Sequence, residues 1–365
     1  MRRLLCILSG MDTGGAETFL MKVYRVIDRT KYQMDFCINV KEKCFYEDEI
    51  LSLGGKIYRI PTKSENVREF RRQLSQIVRE NGYRYVLRIT SNAAGFMDLK
   101  IAKKAGAEIC IVRSSNSSDG GSMKSRVAHR IGRLLYDRYV DVKIAPSDLA
   151  AKYTFGRRAY ERGEVRILHN GLDFGVFKYD ETAREAIRQE FGIPSSAYVV
   201  GHVGRFEAQK NHAFLLDIFG AIREKRKDAF LLLVGEGSLM DEIKEKARST
   251  GLSDHVIFAG RRADIPCLLS AVDVFVFPSF YEGMPNTVIE AQATGLPCVI
   301  SDTITREADI TGLVQYLSLA DTARNWADTA LECKNRNRSD NSVMKGRGYC
   351  IADTAASFIS YAFKD

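Results

Sequence analysis

The chain holds 365 residues, 45% of them apolar and 27% charged, with a formal net charge of +8. That length exceeds one ordinary core and predicts two domains of roughly 150 to 200 residues, and the composition is that of a soluble globular protein. No apolar run approaches the ~20 residues of a bilayer span, and the short apolar stretch of MRRLLCILSG reads as a first strand rather than a signal peptide. The eight cysteines form no Cys-x-x-Cys pair and sit mostly inside apolar runs, so reduced, buried thiols in a cytoplasmic protein are expected rather than disulfides or zinc ligands. Residues 1–175 carry 32 Lys/Arg against 20 Asp/Glu, a surplus of +12, whereas the remainder is at −4. Arg68, Arg71, Arg72 and Arg79, then Lys124, Arg126, Arg130, Arg133 and Arg138, dominate the basic half. They read as solvated helix faces, or as a surface for an anionic lipid or a pyrophosphate-bearing acceptor. No nucleic-acid-binding motif accompanies them.

In chain order, strand-length apolar runs occur at 3–9, 33–39, 56–61, 83–90, 108–115, 141–147 and 165–171, with helical spacing over 15–27 and 66–80. A polar segment, 172–196, follows as the domain connection. The second half resumes with strands at 197–204, 229–237, 255–260, 272–279 and 297–301, and its clearest helix spans 212–226. Residues 334–348 read as a polar loop and the closing YCIADTAASFISYAF as one amphipathic helix. Near-continuous apolar strands alternating with helices predict an α/β protein of two doubly wound Rossmann-like domains, with parallel sheets covered on both faces and facing a central cleft. Their boundaries are 1–172 for the first domain, 173–196 for the linker and 197–347 for the second. Ligands in such sheets bind beyond the carboxyl ends of the strands.

Four loops at those ends carry candidate chemistry. In SGMDTGGAE (9–17), Gly14 and Gly15 remove side chains where a strand turns into a helix, so backbone amides can approach a phosphate. In GHVGRFEAQKN (201–211), Arg205 and Lys210 follow Gly204 and are placed to meet a diphosphate. VGEGSL (234–239), with Gly235, is a further glycine turn entering a helix. In FYEGMPNTVIEAQATG (280–295), Glu282 lies in a turn, suited to a sugar hydroxyl, and Glu290 lies early in a helix, suited to two vicinal ribose hydroxyls. The amides around Gly283, Met284, Asn286 and Thr287, with Pro285 in the turn between them, face the same space. His202 and His212 flank the Arg-Lys segment without metal-ligand partners and read as core or surface residues.

Taken in order, GGAE (14–17), HNGLD (169–173), HVGRFEAQKN (202–211), LLVGEG (232–237), VIFAGRRADI (256–265) and PSFYEGMPNTVIEAQATGLP (278–297) resemble the motifs of retaining glycosyltransferase family 4, a GT-B class. The similarity is greatest to bacterial exopolysaccharide and capsule glycosyltransferases, and Glu282 and Glu290 match the family's E-x7-E motif. The resemblance implies transfer of a hexose, with retention, from a nucleotide sugar, foremost a UDP-sugar, to a growing saccharide in exopolysaccharide, capsule or O-antigen synthesis. It implies that Arg205 and Lys210 neutralise the departing diphosphate, that Glu290 holds the ribose, and that Glu282 with the 283–287 amides holds the sugar. The strand end from Phe258 through Arg261 to Arg262 would lie against the base. The class commonly works without a metal or other cofactor, in keeping with the lack of an Asp-x-Asp pair. The acceptor implied is lipid-pyrophosphate-linked, with peripheral contact at the inner face of the cell membrane and no nucleic acid partner. The closing helix, 348–365, would cross back onto the first domain.

One departure stands out. Relatives carry a stretch resembling His-Ser-His-Asn after the fifth strand, where this chain reads RSSN, with Arg113 and Asn116 bracketing it and Ser115 in the place of a histidine. By the resemblance these acceptor-side residues include one that contacts the donor sugar, often at its 6-position, and a serine there neither reaches as far nor titrates near neutrality. Two alternatives stay open: a nucleotide-sugar epimerase of the same fold, and a non-catalytic glycosyltransferase-like partner protein.

Overall fold

The computed structural model describes residues 1–115, 123–333 and 341–364, so Asn116 lies outside the described residues. The chain divides into two compact units, Met1–Leu172 with Gly348–Asp365, and Asp173–Arg347.

The first unit runs β1 (Arg2–Ile7), α1 (Gly15–Val26), β2 (Tyr32–Ile38), α2 (Glu47–Ser52), β3 (Ile57–Arg59), α3 (Lys63–Glu80), β4 (Tyr85–Thr90), α4 (Phe96–Ala105), β5 (Ile109–Ser114), α5 (Met123–Tyr136), β6 (Val142–Ala145), α6 (Asp148–Phe155), α7 (Arg157–Glu161) and β7 (Val165–Ile167). Among the described residues its strands form a parallel sheet ordered β3-β2-β1-β4-β5-β6-β7. Side chains alternate across a strand, and here both faces are buried. Leu4 and Cys6 enter one core with Phe19, Leu20 and Phe36. Leu5 and Ile7 enter another with Phe70, Leu74 and Leu99. A strand buried on both faces needs a continuous apolar run, which is why these segments are so legible. Thr62 and Glu65 close a reciprocal capping box at the start of α3, and Asn66 (φ −157°) breaks its first turn.

The second unit runs α8 (Glu181–Glu190), β8 (Tyr198–Val203), α9 (His212–Lys225), β9 (Ala229–Val234), α10 (Met240–Ser249), β10 (Val256–Phe258), α11 (Ile265–Ala271), β11 (Val274–Phe277), α12 (Asn286–Ala293), β12 (Cys298–Ser301), β13 (Val314–Leu317), α13 (Ala323–Glu332) and α14 (Ser342–Gly346). Its described strands form a second parallel sheet, ordered β10-β9-β8-β11-β12-β13. In each sheet the strand order reverses beside the first strand, between β1 and β4 and between β8 and β11. Loops diverge there at the carboxyl edge, which makes these the places for a ligand.

The last helix, α15 (Ile351–Ala362), belongs to the first unit, where Phe358 meets Phe19 edge-on at 5.9 Å and Phe363 packs on Tyr32 and Tyr85. The segment read from sequence as a linker is part of the second unit. Its helix α8 is anchored by Arg184 and Arg188, whose guanidinium groups each donate to the Asp273 carboxylate at 2.8 Å. Asp273 also accepts the Val199 amide at 2.7 Å, so one carboxylate joins α8 to the first strand of the sheet. Among the elements not expected are α8 inside the predicted linker, β13, and α14 inside the predicted polar loop. No helix among the described residues is long and apolar enough to cross a membrane.

Candidate active site

At the carboxyl edge of the second sheet, the loops after β8 and β9 interlock through their backbones. The Gly204 amide donates to Val234 at 2.9 Å, the Phe206 amide to Glu236 at 3.0 Å, and the Leu239 amide to Phe206 at 2.9 Å. A side chain at Gly235 would overlap the Gly204 carbonyl, and the φ of +139° there is itself glycine-specific. Ser238 seals the join, its amide and hydroxyl donating to Glu207 at 3.2 and 3.0 Å. These bonds, with Arg205 behind them, hold the Glu207 carboxyl below the usual range. Arg205 itself is exposed at the strand end.

Lys210 ends a short 3-10 turn and is followed by Asn211 at φ +55°, the one non-glycine residue with positive φ among the described residues. Asparagine tolerates this conformation because its short polar side chain bonds locally. The resulting bend aims Lys210 across the switch point. Its Nζ donates to Glu282 Oε1 at 2.7 Å and sits 4.6 Å from the centre of the Phe277 ring. Gln209 ties the same two loops together, donating to the Tyr281 carbonyl at 2.7 Å while its own carbonyl accepts the Phe280 amide at 2.9 Å. The sequence assigned Lys210 and Glu282 to different parts of a ligand. The structure makes them an ion pair with both side chains mostly buried.

Beneath this pair lie His202 and His212, both in the core. His202 Nδ1 donates to the Val276 carbonyl at 2.9 Å, and the two rings meet edge-on at 4.7 Å between Phe206 and Phe277. Burial, with Lys210 adding to it, pulls His212 down to about 4, and burial drives His202 well below its ordinary value. The floor under the Lys210 ammonium is therefore neutral. Phe277 was not singled out in the sequence. Its signal was an aromatic residue closing the apolar strand just before Pro278.

Helix α12 has Pro285 at its N-cap, without a side-chain cap, and its first helical hydrogen bond comes from the Val288 amide. The backbone at 286 and 287 thus lies ahead of the first helical bond, at the positive end of the helix dipole. Glu290 is only 8% exposed, one turn further in. Phe258 closes β10, tilted against Phe206 at 6.0 Å, and Arg261 follows it on the surface.

The first unit's expected residues lie at the carboxyl edge of their own sheet. Gly14 precedes α1, and the Glu17 carboxylate folds back over it. Ser115 is exposed, its amide bonded to the Thr90 carbonyl at 3.0 Å. Arg113 is 1% exposed: its guanidinium donates to the Asn170 side-chain oxygen and lies 3.6 Å over the Phe19 ring. Burial pushes it down to about 9.

A family model described as glycosyl transferases group 1 matches residues 197–335. The Bacillus subtilis (strain 168) protein named "Putative glycosyltransferase EpsF" is 37% identical over 349 residues, covering 94% of this chain and 91% of its own. An Escherichia coli protein, "UDP-Gal:alpha-D-GlcNAc-diphosphoundecaprenol alpha-1,3-galactosyltransferase", is 34% identical over 142 residues, 38% of this chain and 37% of its own. The crystal structure of Anabaena HepE in complex with UDP and glucose shares the fold, with a TM-score of 0.73 at 18% identity over 100% of this chain and 96% of that one.

Proposed function

Because the chain belongs to the group 1 glycosyltransferases, we propose that it transfers a hexose with retention and without a metal ion, in the manner of family 4. The donor in this reading is a nucleotide sugar, foremost a UDP-sugar, and the acceptor a growing saccharide on a lipid pyrophosphate, in exopolysaccharide, capsule or O-antigen synthesis. UDP in the HepE complex and the donor and acceptor named for the Escherichia coli relative support it.

The observation that carries the reading is the Lys210–Glu282 pair at the β8–β11 switch point, seated on Phe277. An ammonium has three N–H donors, and Glu282 engages one. The others serve the donor's diphosphate together with exposed Arg205. In the reaction the bond from the sugar's anomeric carbon to the diphosphate oxygen breaks, leaving negative charge on that oxygen. The acceptor hydroxyl forms the new bond from the same face, and its proton passes to the departing phosphate. Fixed cations at the developing anion lower the barrier because they need no reorganisation as the charge appears. Glu282, oriented by Lys210, accepts from a donor-sugar hydroxyl, and the 283–287 backbone lines the sugar. Glu290 accepts from the ribose, with Phe258 and Arg261 at the base. Gly14 and Gly15 let backbone amides reach the donor. Ser115 serves the acceptor side, and Arg113 acts as a positioning residue through Asn170. The +12 first half supports peripheral contact with an anionic membrane at the cytoplasmic face.

Thermal shift with UDP, GDP and their sugars tests the donor side. Saturation at 100 times Kd stabilises by about 2.7 kcal/mol. Glu290→Ala should weaken UDP binding by roughly tenfold or more, since hydrogen bonds to a charged group contribute about 1.5–3 kcal/mol. No response of the wild type to either nucleotide would sink the reading.

A further inference from the structure

The inner face of α5 is fixed by close contacts. His129 Nδ1 accepts the Ala93 amide at 3.0 Å, which leaves its proton on Nε2 to donate to the Tyr153 carbonyl at 3.1 Å. Its ring stacks on Tyr153 at 4.7 Å, and Gly132 lies so close to Ala93 that a side chain there would overlap the Ala93 carbonyl. The rotation of the helix about its axis is thereby set.

What this rotation turns outward is apolar. Met123, Val127, Ile131 and Leu134 recur at helical spacing on one stripe, and they are between 48% and 82% exposed. Five of the fifteen large apolar side chains exposed among the described residues belong to this helix, Leu135 being the fifth, so the patch is a cluster rather than scatter. Lys124, Arg126, Arg130 and Arg133 flank the stripe, Arg138 follows in the next turn, and the helix contains no acid. Apolar outward stripe, basic flanks and no acid together describe a helix that lies in a bilayer interface.

We propose that α5 docks the first unit on an anionic membrane, with Met123, Val127, Ile131 and Leu134 inserted below the headgroups and the flanking cations against lipid phosphates. This deepens the peripheral contact proposed above by giving it residues and a mode, insertion rather than adsorption alone, and it rests on the first unit by itself. Charge complementarity selects the occupant. Anionic lipid matches the cations around the stripe, whereas a second copy of this face would set like charges against each other.

The test is flotation of the full chain with vesicles of phosphatidylcholine alone or with about 30% phosphatidylglycerol at low salt. The wild type should bind only the anionic vesicles. Val127→Ser/Ile131→Ser/Leu134→Ser, which keeps every charge, should bind roughly tenfold more weakly or worse. Lys124→Gln/Arg130→Gln should weaken binding and flatten its salt dependence. Tryptophan at the tip, Leu134→Trp, should shift its emission to the blue on binding. These side chains are exposed, so the melting temperature and the UDP response of the variants should match the wild type. Failure of the wild type to bind anionic vesicles overturns the proposal, as does unchanged binding by the serine variant, which would mean adsorption only. A concentration-dependent dimer abolished in the serine variant would assign the face to a second copy and overturn it equally. Loss of the UDP response in the wild type would instead strike the donor reading and leave this one standing.

Discussion

Lys210→Ala will lower kcat/KM for sugar transfer by about 10²–10³-fold, the usual loss when one preorganised donor to a developing oxyanion is removed. The loss should fall mainly on kcat, because the ammonium meets more negative charge as the bond to the diphosphate lengthens than in the bound donor. The substitution also strips the Glu282 carboxylate of its partner 2.7 Å away and opens space over Phe277. Glu282→Gln separates the two effects: it keeps the volume, leaves Lys210 charged, and should weaken sugar binding more than it slows the chemical step. Steady-state kinetics on both variants decide the matter. A fall of less than tenfold for Lys210→Ala, with melting unchanged, would remove Lys210 from the chemistry.

Asp273→Ala should destabilise the second unit by about 3–5 kcal/mol, the range for breaking a buried ion pair by deleting one partner. Arg188, almost wholly buried, would lose its carboxylate partner and keep its bonds to the backbone carbonyls of Ala271, Ala197, Ser195 and Pro194. Arg184 and the Val199 amide would lose the same acceptor. Scanning calorimetry should show the second unit's transition lowered by roughly 10 °C. Asp273→Asn, which can still accept one guanidinium, should lie between. If Asp273→Ala shifts the transition by only a degree or two, α8 is not held as described.

The sheets were legible because their strands are buried on both faces. AFLLLV (229–234) and VFVF (274–277) leave a reader little choice. By contrast β13, VQYL, buries only Val314 fully and offers no such run. Helix α8 was passed over because its core-facing anchor is Arg188, and a buried arginine is indistinguishable in sequence from a solvated one. The same blindness governed the site. Motif order located Lys210 and Glu282, yet their pairing spans 72 residues of chain, and the bend at Asn211 that produces it is invisible in composition. On α5, the reading saw the cations because charge is a property of residues. It missed the apolar stripe between them, because which face turns outward depends on Gly132 and His129 meeting Ala93.

Helix α15 bears on the order in which the molecule can be made. The core that Leu4, Phe19 and Tyr85 share is completed by Ile351, Ala355, Phe358 and Phe363. During synthesis from the amino end, the second unit has all of its residues out before that core can close, so the unit begun first is the last to finish. Until then the face of Phe19 that Phe358 will cover is open to water and to chaperones. A chain ended after Arg347 should show this directly, with limited proteolysis cutting the first unit while the second resists.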